Sequence, residues 1–367
     1  MDFNNDIHDD LEPEYDMEFN TTFGPNPMEL PLSPPISPPP PGHPNYREAS
    51  PFSTNTSMTS LDSTGSEGFY REESGRMYSA LPGVPVVLPV DHAEIRRVSE
   101  QHELMKILCG EDTLALMRGV LDPQATRTLR VLDVISNSPW VDEMAEEYPY
   151  VKFHGCNFVP TRHPFHDNVQ FEVYNLNDGF RGQDASYDII HAANTFKMTR
   201  NFKEWLSEFK RLLRPNGLLI IRDLEIGSWM ADGSDRDQFI PALMEHINCV
   251  KVSVLSQGID LDMLPLIGSW LRDLDGFDDV DDTVTSIPVG DWETEVLQKE
   301  IGTMARDNIM SVLYSVHPLH RRIGKSAEEI EQLMQSARFE LYDKGLRLFE
   351  RMFCVVARRA SNDAGET

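Results

Sequence analysis

The stretch Leu129-Arg130-Val131-Leu132-Asp133-Val134-Ile135-Ser136-Asn137-Ser138-Pro139-Trp140 carries residue types suited to ligand chemistry. An apolar, branched run meets a carboxylate, passes into a tight polar turn and enters a helix. In a doubly wound α/β fold, the turn after such a strand receives a nucleotide-like cofactor. Turns of this kind normally hold glycines, because the ligand approaches backbone with no Cβ in the way. Here there are none. Ile135 and Pro139 add bulk, and Pro139 removes a backbone donor. Ser136, Asn137 and Ser138 keep the capacity to turn and to hydrogen-bond.

Other clusters are weaker. His163-Pro164-Phe165-His166-Asp167 offers two imidazoles and a carboxylate, but the proline prevents helical presentation, and a loop of solvated histidines is the plainer reading. His317-Pro318-Leu319-His320 meets the same objection. Cys109, Cys156, Cys249 and Cys354 have no CxxC spacing, so no zinc site or redox pair is expected. The acidic run 273–282 lacks the spacing and glycine of a calcium loop and reads as a solvated face. Trp229, Met230, Met263, Leu264 and Trp270 either roof a substrate pocket or belong to the core.

The elements that must position the turn follow from periodicity. Helices are expected over 92–108 and 113–121, then strands over 129–135, 151–158, 169–176, 187–193 and 218–224. A short helix over 141–147 follows the first strand. Over 202–213, Phe202, Trp205, Leu206, Phe209, Leu212 and Leu213 form one helical stripe, and Arg214-Pro215-Asn216-Gly217 stops it with the positive φ of a turn. Strands alternating with helices argue for a parallel sheet with right-handed crossovers. The rhythm breaks over 227–320, read as a substrate-covering insertion with a helix over 238–249, a strand over 280–289 and a helix over 293–313. Ser326-Ala327-Glu328-Glu329 is a capping box opening a helix to 342. A last strand covers 348–357.

Residues 1–88 read as a disordered tail before a domain over 89–360, with a polar tail over 361–367. The first thirty residues mix acids with isolated apolar residues and contain no Lys or Arg, a composition of partner-binding segments or of a merely solvated tail. The Pro-rich run 31–41 favours polyproline II. Ser33, Ser37 and Ser50 precede proline and are candidates for phosphorylation. The net charge of −27 disfavours nucleic-acid binding. No apolar run has the length of a membrane span and no secretory signal is present, so a cytoplasmic or nuclear protein is expected.

Four stretches resemble the class I S-adenosylmethionine (SAM) methyltransferases: RVLDV at strand one, GCNFVP at strand two, NVQFEVYNLND at strand three, and SYDIIHAANTF with EFKRLLRPNGLLIIRDLE across strands four and five. The resemblance implies a doubly wound α/β sheet of seven strands, with the last one antiparallel and inserted between strands five and six. More narrowly, EIRRVSEQHELMKILCG and MAEEYP resemble the fungal methyltransferase-like regulators of secondary metabolism and development, the velvet-associated group and its trans-aconitate-methyltransferase-type relatives. The resemblance spans about residues 88 to 359.

The resemblance also implies three contacts to SAM. The turn after strand one would pass the methionine part and adenosine, using Asp133, Ser136, Asn137, Ser138 and Trp140. The end of strand two, normally acidic, takes the ribose hydroxyls and here holds Asn157, followed by Phe158. Asn175, Leu176 and Asn177 fall where the adenine amine is held. His191 ends strand four, either as a base or as a packed histidine. Two readings follow. One is an enzyme moving a methyl group from SAM to a small molecule or protein side chain. The other is a methyltransferase-fold scaffold whose tail recruits a regulatory protein partner. No metal is expected in either.

Overall fold

The computed structural model describes residues 67–361, apart from 162 and 165. The acidic and Pro-rich stretches, with Ser33, Ser37 and Ser50, lie outside the described residues, as does 362–367.

The fold begins earlier than composition suggested. Residues 70–88, expected in the tail, contain a hairpin of β1 (Tyr70–Glu73) and β2 (Arg76–Ser79), followed by a strap in which Val84, Val86 and Val87 are buried. Tyr78 on β2 is also buried. Pro82, Gly83 and Pro85 interrupt the apolar residues of 80–88, so the segment shows neither a helical nor a strand period. Arg76 holds both oxygens of Asp91 at 2.6 and 2.9 Å, and Asp91 caps α1 (His92–Ile107) by accepting from Glu94 N.

After α2 (Glu111–Val120) the alternation begins: β3 (Arg130–Val134), α3 (Trp140–Glu147), β4 (Lys152–Asn157), β5 (Val169–Val173), β6 (Tyr187–Ala193), α4 (Phe202–Leu212) and β7 (Leu213–Leu224). The chain continues through β8 (Trp229–Met230), α5 (Arg236–Phe239), α6 (Pro241–Leu255), α7 (Ile267–Asp273), β9 (Phe277–Val289), α8 (Val296–Ser315), α9 (His317–Arg322), α10 (Ala327–Tyr342) and β10 (Leu348–Arg359). Strands β5, β4, β3, β6 and β7 pair in parallel in that order. β10 runs antiparallel between β7 and β9. Two-residue β8 extends the β7 side of β10, one strand beyond the seven expected.

Successive residues of the central strands point to opposite faces. Val131, Ile189, Leu218 and Ile220 pack with α2 and α3, while Leu132, Ile190, Leu219 and Ile221 pack with α4 and α7. A third core lies where α1, α6, α8 and α10 meet Leu224, Val289 and Leu348. It sits at the carboxyl end of β7, so these helices close over the edge where cofactors bind in such sheets.

Local signals act largely as expected. The α4 stripe buries Phe202, Trp205, Leu206, Phe209 and Leu212. The Ser326–Glu329 capping box is present in both directions. In the turn before the apolar part of β7, Asn216 takes the left-handed conformation (φ 63°). Gly217 serves differently: a Cβ there would meet Arg214 O at 2.8 Å. The acidic run is the solvated face expected: Asp278, Asp279, Asp281 and Asp282 are exposed along the first half of β9. Among the described residues, no helix is long and apolar enough to cross a membrane.

Candidate functional site

The turn after β3 has the backbone shape that glycine usually supplies, without the glycine. Ile135 sits at φ 58° and is buried. A branched residue in the left-handed region is strained and persists only where its surroundings hold it. Those surroundings are visible. Ser136 N donates to Cys156 O at 3.1 Å, and Ser136 O accepts from Thr161 Oγ1 at 3.0 Å and Asn157 Nδ2 at 3.3 Å. Gly155 lets β4 pass beneath: a Cβ there would stand 2.4 Å from the Phe171 ring and 2.9 Å from Ser136 Oγ.

The loop after β4 corrects the expectation of solvated histidines. His163 Nδ1 lies 2.8 Å from Asp142 Oδ2, and His166 Nε2 lies 3.3 Å from Asp142 Oδ1. The His163 ring stacks on Phe171 with centroids 4.1 Å apart. Both histidines are thus drawn against α3 and the turn by Asp142, which stands more than twenty residues earlier in the chain.

Asn157 is buried and committed at both ends: Nδ2 donates to Ser136 O, and Oδ1 accepts from Phe158 N at 2.8 Å. Phe158 and Leu176 are core residues. Asn175 Oδ1 accepts from Asn177 N at 3.2 Å, while its Nδ2 donates to Pro82 O at 3.3 Å. The strap therefore crosses the carboxyl edge at Asn175. It is fastened by Gln257, which bonds both Val86 N and Val86 O at 2.8 and 2.9 Å, and by Arg200, which donates to Gly83 O at 2.7 Å. Asn137 and Ser138 stay half-buried in the turn.

Asp133, His191 and Trp140 come together. His191 Nδ1 is 2.7 Å from Asp133 Oδ1, His191 Nε2 is 3.0 Å from Arg222 Nη2, and Trp140 stacks on the imidazole at 3.7 Å. A guanidinium only donates, so Nε2 is the acceptor and Nδ1 carries the proton toward Asp133. Burial pushes His191 down to about 4, against the pull of Asp133. Both nitrogens are engaged and the ring is buried, the surroundings of a packed histidine.

A polar network under the helical cap was not legible from the sequence. Arg97 on α1 bonds Glu94, Gln101 and Asn308, and Gln101 continues to Asn194 after β6. Lys197 lies 3.9 Å from Asp223. Burial lowers the Lys197 ammonium and pushes Asp223 up to about 6. The visible signal was a set of polar residues on the buried side of α1. Elsewhere, His102, Glu103 and Glu143 converge, but Lys106 already bonds both carboxylates.

A methyltransferase domain family matches residues 159–267, from the loop after β4 to the start of α7. The sheet around that segment carries the reversed β10 between β7 and β9, as the motifs implied. Over that segment the chain is similar to methyltransferases. It is 23% identical over 297 residues to the secondary metabolism regulator laeA of Coprinopsis cinerea, covering 79% of this chain and 74% of that one. It is 24% identical over 323 residues to methyltransferase pytC of Aspergillus terreus, covering 85% and 94%. Among solved structures, phosphoethanolamine N-methyltransferase 2 of Haemonchus contortus, determined with SAM, is 14% identical over 68% of this chain and 53% of that chain, with a TM-score of 0.40.

Proposed function

We propose that this methyltransferase-like chain holds SAM along the carboxyl ends of β3, β4 and β5 and directs its methyl group to a small molecule or protein side chain on the 227–320 side. One observation carries the reading. Asp133 Oδ2, Ser136 Oγ and Asn177 Oδ1 are buried along this edge with no hydrogen-bond partner among the described residues. Buried polar atoms are rarely left so. The SAM ammonium, ribose hydroxyls and adenine amine are donors, the chemistry those atoms lack.

Asp133, Ser136, Asn137, Ser138 and Trp140 would line the methionine part, Asn157 and Phe158 the ribose, and Asn175 and Leu176 the adenine. When bound, SAM supplies a methyl group on a sulfonium, so the chain's own work is positioning and exclusion of water. Asn157 is the weak contact. To meet a ribose hydroxyl it must exchange one of its internal bonds, and it lacks the second acceptor of a carboxylate. The loss relative to a carboxylate is on the order of 1–3 kcal/mol.

Calorimetry of the full chain with SAM and with its demethylated product tests this. Micromolar binding that is lost in Asn157→Leu supports the reading; no binding of either ligand at millimolar concentration defeats it. The regulatory setting rests on the relatives named as secondary metabolism regulators. In that setting residues 1–66 are proposed to recruit a regulatory protein. Capture of a partner by the full chain but not by one lacking 1–66 supports this, and equal capture by both contradicts it.

A further inference from the structure

A cavity of about 80 Å³ lies between α1, α6, α8 and the ends of β7 and β10. Arg97, Gln101, Lys197, His246, Asn308 and Glu350 face it, among aliphatic side chains that include Val312. At roughly 30 Å³ per water in the liquid, it takes about two or three water-sized groups.

The donors of Arg97 and Gln101 on its wall are already used, and Lys197 faces Asp223 at 3.9 Å. Arg97 bonds Glu94, Gln101 and Asn308, and Gln101 bonds Asn194. Of the fully buried side-chain atoms on this wall, Glu350 Oε2 and His246 Nδ1 have no hydrogen-bond partner among the described residues. The charges tell the same story. Arg97 is matched by Glu94, Lys197 by Asp223 and Glu225 by Arg351, which leaves Glu350 over. A buried carboxyl without a counter-charge is costly to ionise, and burial pushes Glu350 up to about 8.

We propose that this cavity is the acceptor pocket and that it takes the amine end of a small molecule, received by Glu350 Oε2 and His246 Nδ1. The word acceptor rests on the methyl-transfer reading above; the amine preference does not. Of the groups facing Glu350, Arg97 and Glu225 stay paired, and Lys197 faces Asp223. Burial holds His246 well below its ordinary value, and hence neutral.

Calorimetry of the full chain with ethylamine and with ethanol, matched in size, tests the pocket. The amine is expected to bind at least about tenfold tighter than the alcohol above pH 8, a difference of about 1.4 kcal/mol. Its affinity should rise about tenfold between about pH 7 and pH 9, as Glu350 ionises, while that of the alcohol stays level. Glu350→Gln should erase the preference. Val312→Phe, which fills the cavity without touching a charge, should remove both ligands. Equal or tighter binding of the alcohol, a pH-independent amine affinity, amine binding that survives Val312→Phe, or no binding of either probe would each overturn the proposal. SAM titrated into the same samples separates the two claims. SAM binding without amine binding defeats the pocket alone, and amine binding without SAM binding defeats the methyl-transfer reading alone.

Discussion

Asp133, His191 and Arg222 stand on three adjacent strands, β3, β6 and β7, and hydrogen bonds through the imidazole join all three. Removing the ring leaves Asp133 with neither oxygen bonded and takes a partner from Arg222, both in the core. His191→Ala should therefore cost about 3 kcal/mol or more in urea unfolding; a cost under about 1 kcal/mol would show that the bonds contribute little. The buried titratable groups divide by sign. His191 and His154, both pushed down to about 4 by burial, stay neutral in the fold, so their contribution is lost as pH falls from about 6.5 toward 4. Asp223 and Glu350, raised to about 6 and about 8, act oppositely: their folded forms keep a proton, and that contribution is lost as pH rises through those values. Above about pH 7.5, where the histidines of the unfolded chain have also lost their protons, Glu350 is the group of these four still titrating. Stability should decline there by up to about 1.4 kcal/mol per pH unit, and Glu350→Gln should flatten the decline. An unchanged slope in the variant would contradict this.

At the scale of elements, the strap over 80–88 depends on side chains that reach its backbone, Gln257 above all. Gln257→Ala removes two bonds to Val86. It should raise the rate of proteolytic cleavage within 80–88 about fivefold or more while costing only about 1–3 kcal/mol in global unfolding. Cleavage at the wild-type rate would mean that the Arg200 and Asn175 bonds and the burial of Val84 and Val87 fasten the segment without Gln257. The strap escaped sequence reading because tethers from Asn175, Arg200 and Gln257 leave no periodic trace in it. Strands β3, β4, β6 and β7, helix α4 and the capped α10 were legible because each carries a repeating apolar pattern or a local end signal. The turn itself was half legible. Its place followed from the strands around it, but nothing in Ile135 announces a left-handed backbone, and the commitment of Asn157 to Ser136 O is a tertiary fact. Asp142 tying down His163 and His166 is another. Glu350 looked like an ordinary polar residue on a strand, since its burial comes from α1, α6 and α8 closing over it.

The whole molecule carries its strong negative charge unevenly, and the sheet shows why that matters. β9 is an edge strand that pairs with β10, among the described strands, on one side only. Its first half exposes Asp278, Asp279, Asp281 and Asp282. Unpaired strand edges invite pairing between molecules, and charge on the edge opposes it. Replacing Asp278, Asp279 and Asp281 by Asn should promote self-association, seen as a concentration-dependent rise in sedimentation coefficient. A variant that stays as dispersed as the wild type would assign the acidic residues another role. The three cores act together at this scale. Two sandwich the sheet, and the third brings the helical cap over the carboxyl end of β7, next to the edge where the turn, Asn157 and Asn175 meet.

Hydrogen–deuterium exchange of the full chain with and without saturating SAM tests most directly whether that edge is the cofactor site. The expected result is slowed exchange over 135–140, 157–161 and 175–178, with the outer helices α2 and α10 unchanged. Exchange over those three segments that is the same with and without SAM would contradict it.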